Sequence, residues 1–357
     1  MRRPAALLAV LAALLAAPHA GAAVQSPAAP TARPPVVAVL DSGLLASHQE
    51  FDYRGPRSTR DQIAAWWDFT AEVKGAIVLP RAGQAWDTVV RDPYDREGHG
   101  TLTAAMAGGR GADRRATPAG LPGVTLAIGK VANGDGTLAD TLAAAITWAT
   151  DTVRADVISI SINSIVPRPA SFDQDVFDAL TRARDRGVLI VVANGNGLIS
   201  AGVPGNPGWA TNYSASTKVL TVGASGSAGY LVSTDPEVTA LSTVVGPSHA
   251  GNGAYTDRIG TSFAAPYVAG FAASLIKTAR SAGREIAPDR LEQLITFSAK
   301  DTSTPPQFEG YGVVSQVELA AAQAHARAGT LPGRPSPDLS GTYVEQVAGR
   351  LRSTWSD

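Results

Sequence analysis

A three-layer α/β/α fold around a mostly parallel central sheet is the architecture this sequence predicts, from three observations. Five short β-branched runs are largely apolar, two of them without a break, as suits strands buried on both faces. Helical patterns fall between several of them, the alternation that makes parallel strands joined by crossover helices. The composition is that of a folded chain: 357 residues, 45% hydrophobic, 17% charged, with 36 Gly and 24 Pro. Charge that low with ordinary hydrophobicity excludes a disordered protein, and the length allows a large core.

The expected strands are Val36–Leu40, Val124–Ile128, Val157–Ile162, Val188–Ala193 and Val219–Val222. Between them, Thr137–Thr150 sets Leu138, Leu142, Ala145, Ile146 and Ala149 on one helical face, and Phe172–Arg186 does the same with Val176, Phe177, Leu180 and Ala183. A further apolar helix follows Ser262, marked by Val268, Phe271, Ala272, Leu275 and Ile276. Pro266 is expected near its first turn, where a missing N–H costs little.

The ends read differently. Met1-Arg2-Arg3, the apolar run Ala5–Ala17 and Ala20-Gly21-Ala22 have the form of a signal peptide cut after Ala22. The apolar run is shorter than the roughly 20 residues that cross a bilayer. Residues 23–33 form a short Pro-containing linker, too short for a prodomain, and Gly329–Asp357 a Pro/Gly-rich tail with one short helix near 343–351. The expectation is an exported bacterial protein, secreted or periplasmic, monomeric and without a stable membrane anchor. A net charge of −1 argues against a nucleic-acid partner. The absence of cysteine removes disulfide frameworks, thiolate metal sites and cysteine nucleophiles together.

Ligands of a parallel sheet sit beyond the carboxyl ends of its strands. Asp41-Ser42-Gly43 directly follows the first strand; alone it reads equally as a turn. Gly98-His99-Gly100-Thr101 opens an Ala-rich helical stretch, and glycines on both sides of His99 permit close backbone approach. Gly195-Asn196-Gly197 follows the fourth strand, where Asn196 either fixes a turn or donates its amide to an oxyanion. Ser262 lies at a helix start among small residues, a place equally suited to an N-cap. Asp, His and Ser in this chain order form one of the known orders of the serine-hydrolase triad.

These blocks resemble the subtilisin-like serine proteases, the subtilases of peptidase family S8. The matching stretches are Val37–Gly43, His99-Gly100-Thr101, Ala193–Asn196 and Gly260–Gly270, with weaker echoes at Asn133–Thr137, Ala155–Ser159, Pro288-Asp289 and Gly310–Val314. The resemblance covers about residues 34–328 and implies one subtilisin-like catalytic domain there. It implies a serine endopeptidase acting on a protein or peptide substrate, with no cofactor for catalysis. Asp41, His99 and Ser262 are then the triad, with Asn196 in the oxyanion hole. Ser161, Ile162, Asn163 and Gly195 are the implied substrate-binding residues. Asn163 stands where the family usually has Gly, which predicts a narrowed or more polar pocket. Two other readings stay open: a maturation protease or macrocyclase for one peptide, and an inactive subtilase fold used for binding.

The sequence also departs from the family. Thr103 and Ala105 differ from the usual histidine block, and the interval from Asp41 to His99 is longer than in compact members. Residues 50–95 carry Trp66, Trp67 and Trp86 and read either as an inserted rim or as core. Asp87, Asp92 and Asp95 offer oxygens for a structural Ca²⁺, although their spacing fits no known calcium loop.

Overall fold

The computed structural model describes residues 33–51, 62–89, 94–113, 116, 124–133, 139–162, 170–196, 216–225, 236–302, 304 and 306–333. The expected leader, most of the tail, Asp92 and Asn163 lie outside the described residues.

Among the described residues, eight strands form one sheet in which every neighbouring pair is parallel. They are β1 (Val36–Asp41), β2 (Ile63–Asp68), β5 (Thr125–Lys130), β6 (Val157–Ile160), β7 (Leu189–Ala193), β8 (Leu220–Ser225), β9 (Val238–Leu241) and β12 (Val313–Val314). Their spatial order is β12-β9-β8-β7-β6-β1-β5-β2. Two antiparallel hairpins stand apart: β3 (Glu72–Val73) with β4 (Ala76–Ile77), and β10 (Thr243–Pro247) with β11 (Tyr255–Ile259).

Continuous apolar strands feed two cores at once, because successive side chains point to opposite faces. Val37 and Val39 of β1 enter one core, while Val36, Ala38 and Leu40 enter the other; β7 divides likewise into Leu189 and Val191 against Ile190 and Val192. The first core is closed by α1 (His99–Gly108), α4 (Thr261–Ser281), α5 (Pro288–Ser298) and α7 (Gln316–Ala328). The second is closed by α2 (Ala139–Thr147), its continuation as a π-helical turn (Trp148–Val153), and α3 (Ala170–Asp185). A short helix α6 (Pro306–Glu309) precedes β12. Pro288 begins α5 and Asp289 follows in its first turn, and Gly329 ends α7 in the left-handed region at φ 71°. The three-layer α/β/α expectation therefore holds.

Residues 63–68 are not part of an inserted rim. They form β2, the edge strand beside β5, and Trp66 and Trp67 are each only 1% exposed, one in each core. Trp86 meets Trp66 edge-on with ring centroids 5.1 Å apart. The core account of these tryptophans is the one the structure gives.

One half-buried acid, at the residue before β9, sets a pH dependence of stability. Glu237 Oε2 accepts from Thr221 N–H at 2.6 Å and Thr221 Oγ1 at 3.1 Å. Burial and the nearby Glu292 carboxylate push its pKa up to about 8. The folded chain thus holds this proton more tightly than the unfolded chain, so stability falls as pH rises from 4.5 towards 8. Glu237→Gln keeps an acceptor for Thr221 and removes the ionisation. Its Tm should exceed that of the wild type at pH 8, with a flatter Tm–pH curve below; calorimetry across that range is the check.

Candidate active site

All strands of the sheet run parallel, so the residues that follow β1, β6 and β7 emerge at one end. Asp41 closes β1 opposite Lys130 of β5 and is 2% exposed. Its Oδ1 accepts from the Ser42 N–H at 2.8 Å and from His99 Nδ1 at 2.7 Å. His99 is the first residue of α1, and its side chain is 34% exposed. Donation from Nδ1 to the carboxylate leaves Nε2 as the ring's acceptor. Burial pulls the imidazolium's pKa down, but the charge and hydrogen bond of Asp41, with Asp95 and Glu97 beyond, outweigh it and leave His99 above its usual value near 6.5.

Close backbone approach makes this meeting geometric. A Cβ at Gly100 would stand 2.3 Å from the Gly43 carbonyl oxygen and 2.8 Å from its nitrogen. Only glycine there lets α1 lie against the turn after β1.

Ser262 is the second residue of α4, and the ring of Phe263 beside it lies 5.5 Å from the His99 ring. Asn196, three residues past β7, accepts through Oδ1 from Thr261 N–H at 3.0 Å and Thr261 Oγ1 at 3.1 Å. Thr261 Oγ1 also accepts from the Gly195 N–H at 3.2 Å. Thr261 therefore locks the loop after β7 to the start of α4 and fixes which way the Asn196 amide faces. The Phe263 N–H donates to the Gly260 carbonyl at 3.1 Å. With its neighbours committed, the Ser262 N–H remains among the helix-start donors that lack an intrahelical acceptor.

Pro266 departs from expectation. α4 begins at Thr261, so Pro266 is its sixth residue and lies beyond the first turn. Without an N–H, it leaves the Ser262 carbonyl with no partner four residues on. Ser161 supplies one: its Oγ donates to the Ser262 carbonyl at 2.8 Å, while Ser262 Oγ donates to the Ser161 carbonyl at 3.3 Å. This clasp ties the strand end of β6 to the serine. Ser161→Ala should leave a half-buried carbonyl unsatisfied and cost about 1–2 kcal/mol. That lowers Tm by roughly 2–4 °C per kcal/mol for a chain of this size; calorimetry reads the loss.

Ile162 and Gly195, the other expected substrate-binding residues that are described, have similar inward commitments. Ile162 packs on the core beneath α2 and α3, and the Gly195 N–H serves Thr261. Of the three aspartates considered for Ca²⁺, Asp95 has both oxygens filled by donors of the chain. Asp87 accepts from the Val89 and Asp68 N–H groups. Among the described residues, no three acidic or histidine side chains gather as a metal site. Sequence reasoning missed Ser42 and Thr261, whose hydroxyls join the site's segments, and His249, whose ring rests on Gly98. Of these, Thr261 had the nearest signal: a hydroxyl beside the serine at a helix start is suited to bond a neighbouring strand end.

A parallel sheet covered on both faces, with Asp, His and Ser brought to the ends of its strands in that order, has the layout of an α/β serine hydrolase. Comparison with known proteins narrows this class. The subtilase family (peptidase S8) matches residues 33–313, and the chain belongs to that family. The subtilisin-like protease SBT1.5 of Arabidopsis thaliana is 32% identical over 213 residues, which are 53% of this chain and 26% of that protein. The chain thus spans about a quarter of that relative's length. Among solved structures, a serine-to-alanine mutant of the protease domain of PatA aligns with a TM-score of 0.60 at 20% identity, covering 83% of this chain and 96% of that one. This last likeness is one of fold. Among the described residues, no helix is long and apolar enough to cross a membrane.

Proposed function

We propose that this subtilase is an exported serine endopeptidase that cleaves protein or peptide substrates through Asp41, His99 and Ser262. The observation that carries the reading is the 2.7 Å bond from His99 Nδ1 to buried Asp41, which leaves Nε2 as a base beside the α4 start. In attack, Ser262 Oγ swings from the Ser161 carbonyl, gives its proton to His99 Nε2 and bonds to the substrate carbonyl carbon. Asp41 stabilises the imidazolium so formed. The oxyanion is met by the Ser262 N–H and the Asn196 amide, reinforced by the positive end of α4. His99 then protonates the leaving amine as the C–N bond breaks, and water repeats the cycle on the acyl-enzyme.

The test is covalent labelling with a fluorophosphonate, which needs an activated serine. Wild-type protein should label at Ser262 and Ser262→Ala should not; an unlabelled wild type would sink the reading in favour of an inactive binding fold. Digestion of casein by the labelling-competent protein separates broad cleavage from the processing of one dedicated peptide.

A further inference from the structure

The Asp41–His99 pair is backed by a second carboxylate. Asp95 is fully buried, and five donors converge on it. Oδ1 accepts from Ser42 Oγ at 2.9 Å, from the Glu97 N–H at 3.0 Å and from the Gly98 N–H at 2.9 Å. Oδ2 accepts from the Thr101 N–H at 2.8 Å and Thr101 Oγ1 at 2.7 Å. The Ser42 hydroxyl accepts in turn from the Gly100 N–H at 2.9 Å. One side chain thereby grips the residue after Asp41 and the residues on both sides of His99.

Resting on the triad reading above, we propose that Asp95 is a positioning residue that sets the separation and angle at which His99 meets Asp41. A helix cap for α1 would need only the two bonds from Thr101. The bond from Ser42 serves no helix end; it joins the β1 turn to the α1 start. Path and chemistry agree. Asp41, Ser42, Asp95, Gly98 and His99 close a ring of covalent and hydrogen bonds, so neither catalytic side chain can shift without breaking one. Only a carboxylate fills the centre, because both of its oxygens accept. An asparagine would turn an NH₂ towards one of the two sets of donors.

Charge supports the assignment. Burial would raise the Asp95 pKa, but the bonds from Thr101, Gly98 and Glu97 hold it below the usual carboxylate value. The groups that face His99 are Asp41 from β1 and Asp95 and Glu97 from the preceding loop. Lys130 of β5 reaches the Tyr94 carbonyl at 2.7 Å, and His249 of the β10–β11 hairpin rests on Gly98.

The experiment compares wild type, Asp95→Asn and Ser42→Ala by steady-state kinetics and by proton NMR of the His99 Nδ1–H, followed through a pH titration. Asp95→Asn should lower kcat by roughly 10- to 100-fold with KM within about twofold, the signature of lost alignment. Its His99 midpoint should move down, because a neighbouring negative charge is gone, and the Nδ1–H resonance should move upfield. Ser42→Ala keeps that charge, so its midpoint should stay near wild type while kcat falls and the resonance moves. A folded Asp95→Asn with wild-type kcat and resonance overturns the proposal. Should Asp95→Asn fail to fold, Ser42→Ala decides, and an unmoved resonance with unchanged kcat overturns it. A wild type that takes up no fluorophosphonate defeats the hydrolase reading instead, and the resonances then judge the positioning alone.

Discussion

Replacing His99 with alanine should lower kcat on a peptide substrate by on the order of 10⁶-fold, with little change in KM. Among the described residues the imidazole is the base bonded to Asp41, and in the proposed mechanism Ser262 keeps its proton without it. The same residue sets the pH profile. A general base works only when neutral, and the acids around His99 hold its pKa above 6.5. The acid limb of kcat/KM should therefore lie above pH 6.5. Glu97→Gln removes one of those acids and should move the limb downward. Stability runs the other way. A raised histidine pKa contributes stability that is complete below 6.5 and lost as pH rises through the folded value. The protein should be most active where this ion pair no longer holds it together. Rates and Tm measured over one pH series would show the two curves crossing, and parallel curves would refute the assignment.

Gly100→Ala should have the second largest effect. The added carbon would sit 2.3 Å from the Gly43 carbonyl, which is backbone and cannot rotate away. α1 must then retreat from the β1 turn, taking His99 with it. The overpacking should cost about 1–3 kcal/mol. Misalignment should take roughly 100-fold from kcat. Gly251→Ala is the control, since a Cβ there meets nothing within 4 Å. Calorimetry with kinetics on both variants separates the two effects. A Gly100→Ala enzyme with wild-type Tm and kcat would show that the close approach is not needed.

Much of this was legible before any coordinates, for a physical reason. β1, β5, β6, β7 and β8 are central, so both faces are buried and the runs are largely apolar. β2 was hidden because Ile63-Ala64-Ala65-Trp66-Trp67-Asp68 has an exposed Ala64 and reads as neither alternation nor a β-branched run. The β10–β11 hairpin was hidden because Thr256, Asp257 and Arg258 look like loop until Val244–Pro247 pairs with them. The site divides in the same way. Asp41, His99 and Ser262 stand out locally, each at an element boundary beside small residues. The Ser161 clasp depends on where α4 begins, and a shift of a few residues decides whether Pro266 leaves a carbonyl open. Asp95 looked like a cation ligand because sequence shows charge but not the five donors that satisfy it.

The clasp between Ser161 and Ser262 spans 101 positions, and the Asp41–His99 bond spans 58. No fragment of the chain contains a working site. Parallel sheets with such distant partners close late and slowly. While the chain is being synthesised, its serine is an ordinary hydroxyl. With the proposed triad, harmlessness during biogenesis is a property of topology: the same tertiary closure that would arm Ser262 also buries the segments it would otherwise cut.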